Sequence, residues 1–381
     1  MYWYFRTGAF LGLLFTAVLF ASVLLGCEKD QDSPEEQGDD RFFASETSRN
    51  FAMGFTSWPY APTVAAVDDT YHFLAGHGDI YSEHIDTNIP WDAWMHDLPL
   101  PDAFVADIAG RASRRRPGSR LTLSVSLLNN ARDGLAPDVD GTAPSYNSLD
   151  DPELENAYFK HLEYITTQLD PDYLIMALEV NELLIHAPEA WEGYKSLMSR
   201  IRLRLQERFP GLPLSESITL HNVYRPEVAD PQGYVEEIVA YANGLDWVAI
   251  SFYPFFKGLR TKSEFQAAFD FLHERINRPI AIAETGHLSE DLDVPGLDLF
   301  IPGNRDEQRT YLETLLENAQ QQEYAYVIWW THRDYDALWE VFPENQKDLG
   351  QLWIGTGVLE ENGDAKAALD AWGKAFEVPG E

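Results

Sequence analysis

The stretch DDPELENAYFKHLEYITTQLDPDYLIMALEV, residues 150–180, contains the repeating unit of the fold. Asp150-Asp151-Pro152 reads as a helix start. A short acidic side chain can cap free backbone N–H groups, and a proline in the first turn has no N–H to lose. Leu154, Tyr158, Leu162, Ile165 and Leu169 follow at helical spacing and form one apolar stripe. Tyr173–Val180 is then apolar almost throughout, as a parallel strand buried on both faces must be.

Working outward, the same alternation recurs. Strand-like runs lie at Phe51–Trp58, Asp79–Ile85, Ser119–Leu128, Leu214–Leu220, Trp247–Phe252, Pro279–Ala283 and Ala325–Trp330. Further helical stripes are Trp191, Tyr194, Leu197, Met198, Ile201 and Leu205; then Phe265, Ala268, Phe269 and Leu272; then Tyr311, Leu312, Leu315, Leu316 and Ala319. Ala365, Ala368, Leu369, Trp372 and Phe376 close the chain, and Asn304 caps a helix with an acidic first turn. Eight such strand–helix units predict an α/β fold, a (β/α)8 TIM barrel spanning residues 49–381. The alternative, an open doubly wound sheet, usually has a glycine-rich phosphate loop after its first strand. Gly54-Phe55-Thr56-Ser57-Trp58-Pro59-Tyr60 is not one.

The N-terminus reads as an address. Arg6 is followed by an uncharged apolar run, Gly8 to Leu25, and then by Leu24-Leu25-Gly26-Cys27. This resembles a bacterial lipoprotein signal peptide, residues 1–26, with Cys27 as the lipidated residue; an uncleaved membrane helix is the competing reading. Residues 27–48 form a linker, and seven of the thirteen residues from Glu28 to Asp40 are acidic, which predicts a disordered tether. Cys27 is the sole cysteine of the chain, so the barrel has no internal disulfide. With 28 Lys+Arg against 62 Asp+Glu, the formal charge of −34 repels nucleic-acid phosphates. The expected partners are a neutral polysaccharide or oligosaccharide and, through the lipid, a membrane. The protein is expected to be a monomer of the cell envelope, with the outer membrane favoured.

In a barrel, chemistry sits at the C-terminal ends of strands. Strand four runs into Leu178-Glu179-Val180-Asn181-Glu182, and strand seven into Ile282-Ala283-Glu284-Thr285-Gly286-His287. Two carboxylates facing each other across a sugar-sized gap are what glycoside hydrolysis needs: one donates a proton to the leaving oxygen, and the other attacks or activates water. A separation of roughly 5 to 5.5 Å implies retention. Glu182 and Glu284 are the expected catalytic pair. Glu179 has opposite strand parity to Glu182, so its side chain is expected to face the helices.

Asn181-Glu182 after strand four and Glu284 after strand seven, 102 residues beyond Glu182, resemble the clan A glycoside hydrolases. Ser251-Phe252-Tyr253-Pro254 after strand six and Ile328-Trp329-Trp330 after strand eight extend the resemblance over nearly the whole mature chain. It implies that Glu284 is the nucleophile and Glu182 the acid/base, with a raised pKa. It further implies that Asn181 holds a sugar 2-hydroxyl, that Tyr253 keeps Glu284 ionised and that Trp330 or Trp329 stacks on sugar. Glu284-Thr285-Gly286 and Asp306-Glu307-Gln308 are similar to the endo-β-1,4-galactanase family, which implies endo cutting of a β-linked polysaccharide. Clan members often carry an arginine on strand two. Here Asp79–Asp86 has none, and His84 stands in its place.

Eleven tryptophans supply stacking surfaces. Trp58, Tyr60, Trp91, Trp94, Trp329, Trp330, Trp339 and Trp353 fall at strand ends or in the loops after them, whereas Trp191, Trp247 and Trp372 read as core. His84, His221 and His287 are candidates for sugar hydroxyls, with satisfied structural histidines as the alternative. Asp334 and Asp336 read as a solvated acidic loop rather than a calcium site. No metal-ligand spacing occurs, and the chemistry needs no cofactor. A glycan-binding barrel lipoprotein without turnover remains the alternative to an enzyme.

Overall fold

The computed structural model describes residue 43 and residues 46–380 except 87. The signal peptide, Cys27 and the acidic run to Asp40 lie outside the described residues. Among those described, no helix is long and apolar enough to cross a membrane.

Along the chain run β1 (Ala52–Thr56), α1 (Val64–His77), β2 (Ile80–Ile85), α2 (Trp91–His96), α3 (Asp102–Ala112), β3 (Arg120–Val125), α4 (Pro152–Leu169), β4 (Tyr173–Ile175), α5 (Asn181–His186) and α6 (Trp191–Arg208). There follow β5 (Leu214–Ser215), β6 (Ser217–Thr219), α7 (Leu220–Tyr224), α8 (Pro231–Asn243), β7 (Val248–Phe252), α9 (Lys262–His273) and β8 (Ile280–Thr285). A hairpin, β9 (Leu292–Val294) and β10 (Leu299–Ile301), precedes α10 (Arg305–Gln321), β11 (Tyr326–Trp329), α11 (Asp336–Trp339), α12 (Glu344–Gln351) and α13 (Ala367–Phe376).

The main sheet is parallel, in the order β5-β4-β3-β2-β1-β11-β8-β7-β6. β5 and β6 are halves of one strand interrupted at Glu216, so its two edges meet and eight barrel strands result. The seam is stitched by Ser217 N–H donating to Ala177 O at 3.0 Å and Val180 N–H donating to Ser217 O at 3.0 Å. Each expected apolar run overlaps one of the eight barrel strands.

The alternation of each strand sorts side chains into two cores. Ile80, Ile175, Trp247, Ala249, Ala281, Tyr326 and Ile328 fill the barrel interior, so it is packed and not a pore. The outward residues meet the helices; the stripe Leu154, Tyr158, Leu162, Ile165 and Leu169 is wholly buried there. The Asp151 side chain accepts from Glu153 N–H, and Asn304 accepts from Glu307 N–H, as the capping pattern predicts.

Two irregularities position the site. On β8, Ile282 pairs with Ile250 but Glu284 pairs with Ser251, which leaves Ala283 as an extra residue; the pairing with β11 shifts at the same place. Such a bulge reverses the facing of the residues beyond it. By strict alternation Glu284 would face the helices with Ile282, and the bulge turns it into the mouth. On strand four, regular structure ends at Ile175, and Glu179 adopts φ 53°.

Candidate active site

Glu284 is held between two groups. Tyr253, at the end of β7, donates its phenol proton to Glu284 Oε1 at 2.5 Å, and His84, inward-facing on β2, places Nδ1 3.3 Å from Oε2. Asp86 lies beyond His84, with its carboxylate 4.0 Å from Nε2. On the strand where no arginine occurs, an imidazole thus lies beside the nucleophile candidate. A guanidinium is present as well, but it arrives from the loop after β3. Arg132 Nη2 bonds Glu179 Oε2 at 2.9 Å.

Glu179 corrects the strand-parity expectation. Its carboxylate does not face the helices. Ser251 Oγ donates to Glu179 Oε1 at 2.8 Å, and Ser251 is the register partner of Glu284 on the neighbouring strand. Glu179 thus reaches across the mouth to the strand beside Glu284. The parity argument assumed a regular strand, and the left-handed backbone at Glu179 voids it. Arg132, the other end of the ion pair, also has positive φ, 54°. Two non-glycine residues in this region, joined by a salt bridge in one hollow, are backbone strain of the kind that gathers at functional sites.

Glu182 follows strand four, as expected, in the first turn of the short helix α5. There Asn222 Nδ2 donates to its Oε1 at 2.7 Å and His186 Nε2 lies 3.6 Å from Oε2. Burial pushes its carboxyl up, but the hydrogen bonds of His186 and Asn222 outweigh burial and hold it below its ordinary value. This is the reverse of the raised pKa expected of an acid. Burial pushes Glu284 instead up to about 7; the charges of Glu179 and Asp86 add to the rise, while His84 and Tyr253 oppose it. His84 is held above its usual value: burial opposes the charge, but Asp86 and Glu284 win. Asp86 is held low against the cost of burial by His84 and Arg132.

Asn181 lies outside the mouth. It has no exposed surface, its Nδ2 donates to Tyr234 Oη at 2.8 Å, and its Oδ1 accepts from Thr219 N–H at 2.7 Å. That side chain clamps strand four to β6 and α8, and the expected contact with a sugar hydroxyl is corrected. Trp329 is corrected likewise. It is fully buried on the helix side, against Tyr311, with Nε1 donating to Thr356 O at 2.9 Å. Trp330 has opposite parity and faces the mouth, 5.2 Å from His84 and 5.1 Å from Trp58, ring to ring. His221 receives Tyr253 N–H at 3.4 Å on Nδ1, and burial lowers it to about 4, so it is neutral at pH 7. His287 is buried among Phe265, Phe255 and Tyr311, away from sugar. Trp91 is core, with Nε1 donating to Ala136 O. Asp334 is not in a solvated loop: it is buried and pairs with Lys366 Nζ at 2.6 Å.

The sequence reading missed Arg132, Asp86 and the role of Glu179. Asp86 was legible as the last polar residue of strand two, beside His84; Arg132 carried no sequence signal. The mouth therefore brings together Glu284, Glu179, Asp86, Arg132, His84 and Tyr253 under an aromatic rim. Glu284 takes a hydrogen bond from a phenol and has an imidazole 3.3 Å away, Glu179 is bonded by a guanidinium and a hydroxyl, and the two carboxyls are near enough for the charge of Glu179 to raise Glu284.

Among solved structures, the chain resembles the GH53 catalytic domain from Ignisphaera aggregans (TM-score 0.56, 14% identity, 87% of this chain and 97% of that one). It also resembles a GH5_18 from Bifidobacterium longum subsp. infantis (TM-score 0.60, 13% identity, 88% and 80%). The chain has the fold of the glycoside hydrolase barrels. The exo-β-1,4-mannosidase Op5Man5 from Opitutaceae bacterium strain TAV5 shares it too (TM-score 0.59, 14% identity, 86% of this chain and 59% of that one). No protein-family profile and no curated protein matches the chain in sequence. At these identities the likeness speaks for the barrel, and the chemistry must be argued from the mouth.

Proposed function

We propose that this protein is a retaining β-glycosidase in which Glu284 is the nucleophile and Glu179 the acid/base. The observation that carries the proposal is the bond from Ser251, the register partner of Glu284, to the carboxyl of Glu179, which brings both acids to one part of the mouth. Glu284 attacks the anomeric carbon, forming a carbon–oxygen bond as the glycosidic bond breaks. Glu179 gives its proton to the departing oxygen. A water then attacks the anomeric carbon, Glu179 takes that water's proton, and Glu284 leaves as the carboxylate. Tyr253 and His84 are aimed at the oxygens of Glu284 and stabilise its anion while positive charge develops on the sugar. Before substrate binds, Arg132 and Ser251 fix the Glu179 carboxylate. Burial then favours the pair's proton on Glu284, and that proton must pass to Glu179 before attack, leaving Glu284 as the anion and Glu179 as the acid.

This reading moves the acid/base from Glu182 to Glu179. Glu182, with Asn222 and His221, borders the strand-five side, where it is placed to contact the leaving portion of the substrate. The substrate is a neutral β-linked oligosaccharide or polysaccharide. Support for a sugar comes from the aromatic rim and from neighbours such as a GH5_18 from Streptomyces cattleya solved in complex with GlcNAc. The sequence resemblance to endo-β-1,4-galactanases and the fold shared with an exo-β-1,4-mannosidase make β-galactan and β-mannan the first candidates. The same proposal places the barrel at the cell envelope, held by a lipid on Cys27. Labelling with radioactive palmitate in a bacterial host, lost in Cys27→Ala, checks that part.

The test is a screen of the purified protein against β-1,4-linked galactan, mannan and glucan oligosaccharides, with the product anomer followed by proton NMR. Release of the β-anomer first, abolished in Glu284→Gln, is expected. Release of the α-anomer first, or unchanged turnover in Glu284→Gln, contradicts the proposal.

A further inference from the structure

The two groups that hold Glu284 are also the ends of a continuous aromatic arc. From His84 it passes to Trp330 at 5.2 Å and to Trp58 at 5.1 Å, ring to ring. From Tyr253 it passes to Trp353 at 5.7 Å. Trp58 and Trp353 pack into the same two apolar clusters, which join the halves. Trp58 lies at the end of strand one, and Trp353 belongs to the long segment after strand eight. That segment folds back over strand one, with Tyr335 6.0 Å and Phe342 6.4 Å from Trp58.

The wall is fixed in place. Ser289 N–H and Oγ both donate to Gly355 O at 2.9 Å, and Gly357 N–H donates to Asp334 Oδ1 at 3.0 Å. Lys366, wholly buried, bonds both Asp334 and Ser289. The loops after strands seven and eight are thereby tied to the start of α13.

The wall also has unmet hydrogen-bonding capacity. The indole N–H groups of Trp58, Trp330 and Trp353 are buried and have no acceptor among the described residues. Buried donors are nearly always paired, and leaving one unpaired is costly. Each N–H would have to turn toward the mouth on binding to meet a sugar hydroxyl or ring oxygen, whereas the C–H faces of a sugar match the indole faces as they stand.

We infer that this wall is the blind end of the site, holding the terminal, non-reducing sugar of a chain, so that the enzyme removes residues from chain ends. The inference rests on the glycosidase reading above. The leaving oxygen departs toward Glu179, so the reducing-end portion of the substrate lies on the strand-four and strand-five side. The sugar attacked by Glu284 lies under the arc. A further residue on that side would have to pass through Trp58, Trp330 and Trp353. This replaces the endo cutting expected from the sequence.

The experiment uses β-1,4-linked galacto-, manno- and glucotetraose, each free and with its non-reducing residue capped as a 4,6-O-ethylidene, beside the matching 4-nitrophenyl β-glycosides. One free tetraose is expected to give monosaccharide and trisaccharide as its first products, and its capped form to react at least about a hundredfold more slowly, as buried polar groups left unmatched would require. Disaccharides from the outset, or capped and free substrates cut at similar rates, overturn the inference while leaving the glycosidase reading intact. Hydrolysis of no substrate, nitrophenyl glycosides included, overturns both. Trp353→Phe keeps the wall but removes one donor; KM for the terminal residue is expected to rise with kcat little changed. Trp353→Ala opens the wall and is expected to weaken the discrimination against capped substrate. If both variants fold as the wild type by circular dichroism and leave discrimination and KM unchanged, the wall has no such role.

Discussion

Glu179 and Glu182 stand three residues apart and make opposite predictions. If Glu179 is the acid/base, Glu179→Gln should lower kcat/KM on an unactivated glycoside by about 10²–10⁴-fold. It should cost far less on a 2,4-dinitrophenyl glycoside, whose leaving group needs no proton. Glu182→Gln should chiefly raise KM. Steady-state kinetics on both substrates separates the two, and the reverse pattern would return the role to Glu182. Glu284 supplies a pH prediction. Its folded-state pKa, pushed up to about 7, lies above the ordinary carboxylate value. A nucleophile must be ionised, so the acid limb of kcat/KM should bend near pH 7. The folded protein also holds a proton there that the unfolded chain releases at lower pH. Ionising Glu284 therefore removes stability as pH rises from the ordinary carboxylate range through about 7. Glu284→Gln should accordingly have a Tm close to wild type at pH 4 and a higher one at pH 8, where it should be the more stable by about 3 kcal/mol; a Tm difference independent of pH would count against the shift. At this scale the sequence showed Glu284, Tyr253, His84 and Trp330 plainly, because each follows a recognisable apolar strand. Glu179, Asn181 and Trp329 were misread. One backbone angle at Glu179 and the strand parity at Trp329 decide which side of the sheet those residues face.

The elements that matter most are the irregular ones. The Ala283 bulge aims Glu284, and the early end of β4 frees Glu179 to turn inward. The loop after strand eight is held by the buried Lys366–Asp334 pair. Lys366→Met should cost about 3–5 kcal/mol, the penalty for leaving a buried charge unpartnered, and should loosen the wall around Trp353. A fall in Tm accompanied by faster hydrogen exchange at residues 353–357 is the expected signature; an unchanged Tm would mean the pair is not holding the loop. Regular elements were legible because burial imposes periodicity, as in α4, whose stripe is entirely buried. Bulges, the β9–β10 hairpin and the Lys366 pair were not. They depend on contacts between segments distant in sequence, and Asp334 in isolation reads as a solvated residue.

As a whole molecule, the protein is a packed barrel under a very acidic surface. A formal charge of −34 over the chain implies self-repulsion that salt screens over a Debye length of about 10 Å at 0.1 M. Tm should therefore rise from low salt to 1 M NaCl; a flat or falling Tm would mean the charges are locally balanced. The claim on which the account rests is that this barrel mouth forms a covalent bond to a sugar through Glu284. Incubation with 2,4-dinitrophenyl 2-deoxy-2-fluoro-β-glycosides of galactose, mannose and glucose, followed by intact mass and peptide mapping, tests it most directly. A single added fluoroglycosyl mass on the peptide containing Glu284, absent in Glu284→Gln, is the predicted result. No adduct from any of the three sugars, or an adduct on another residue, would contradict it.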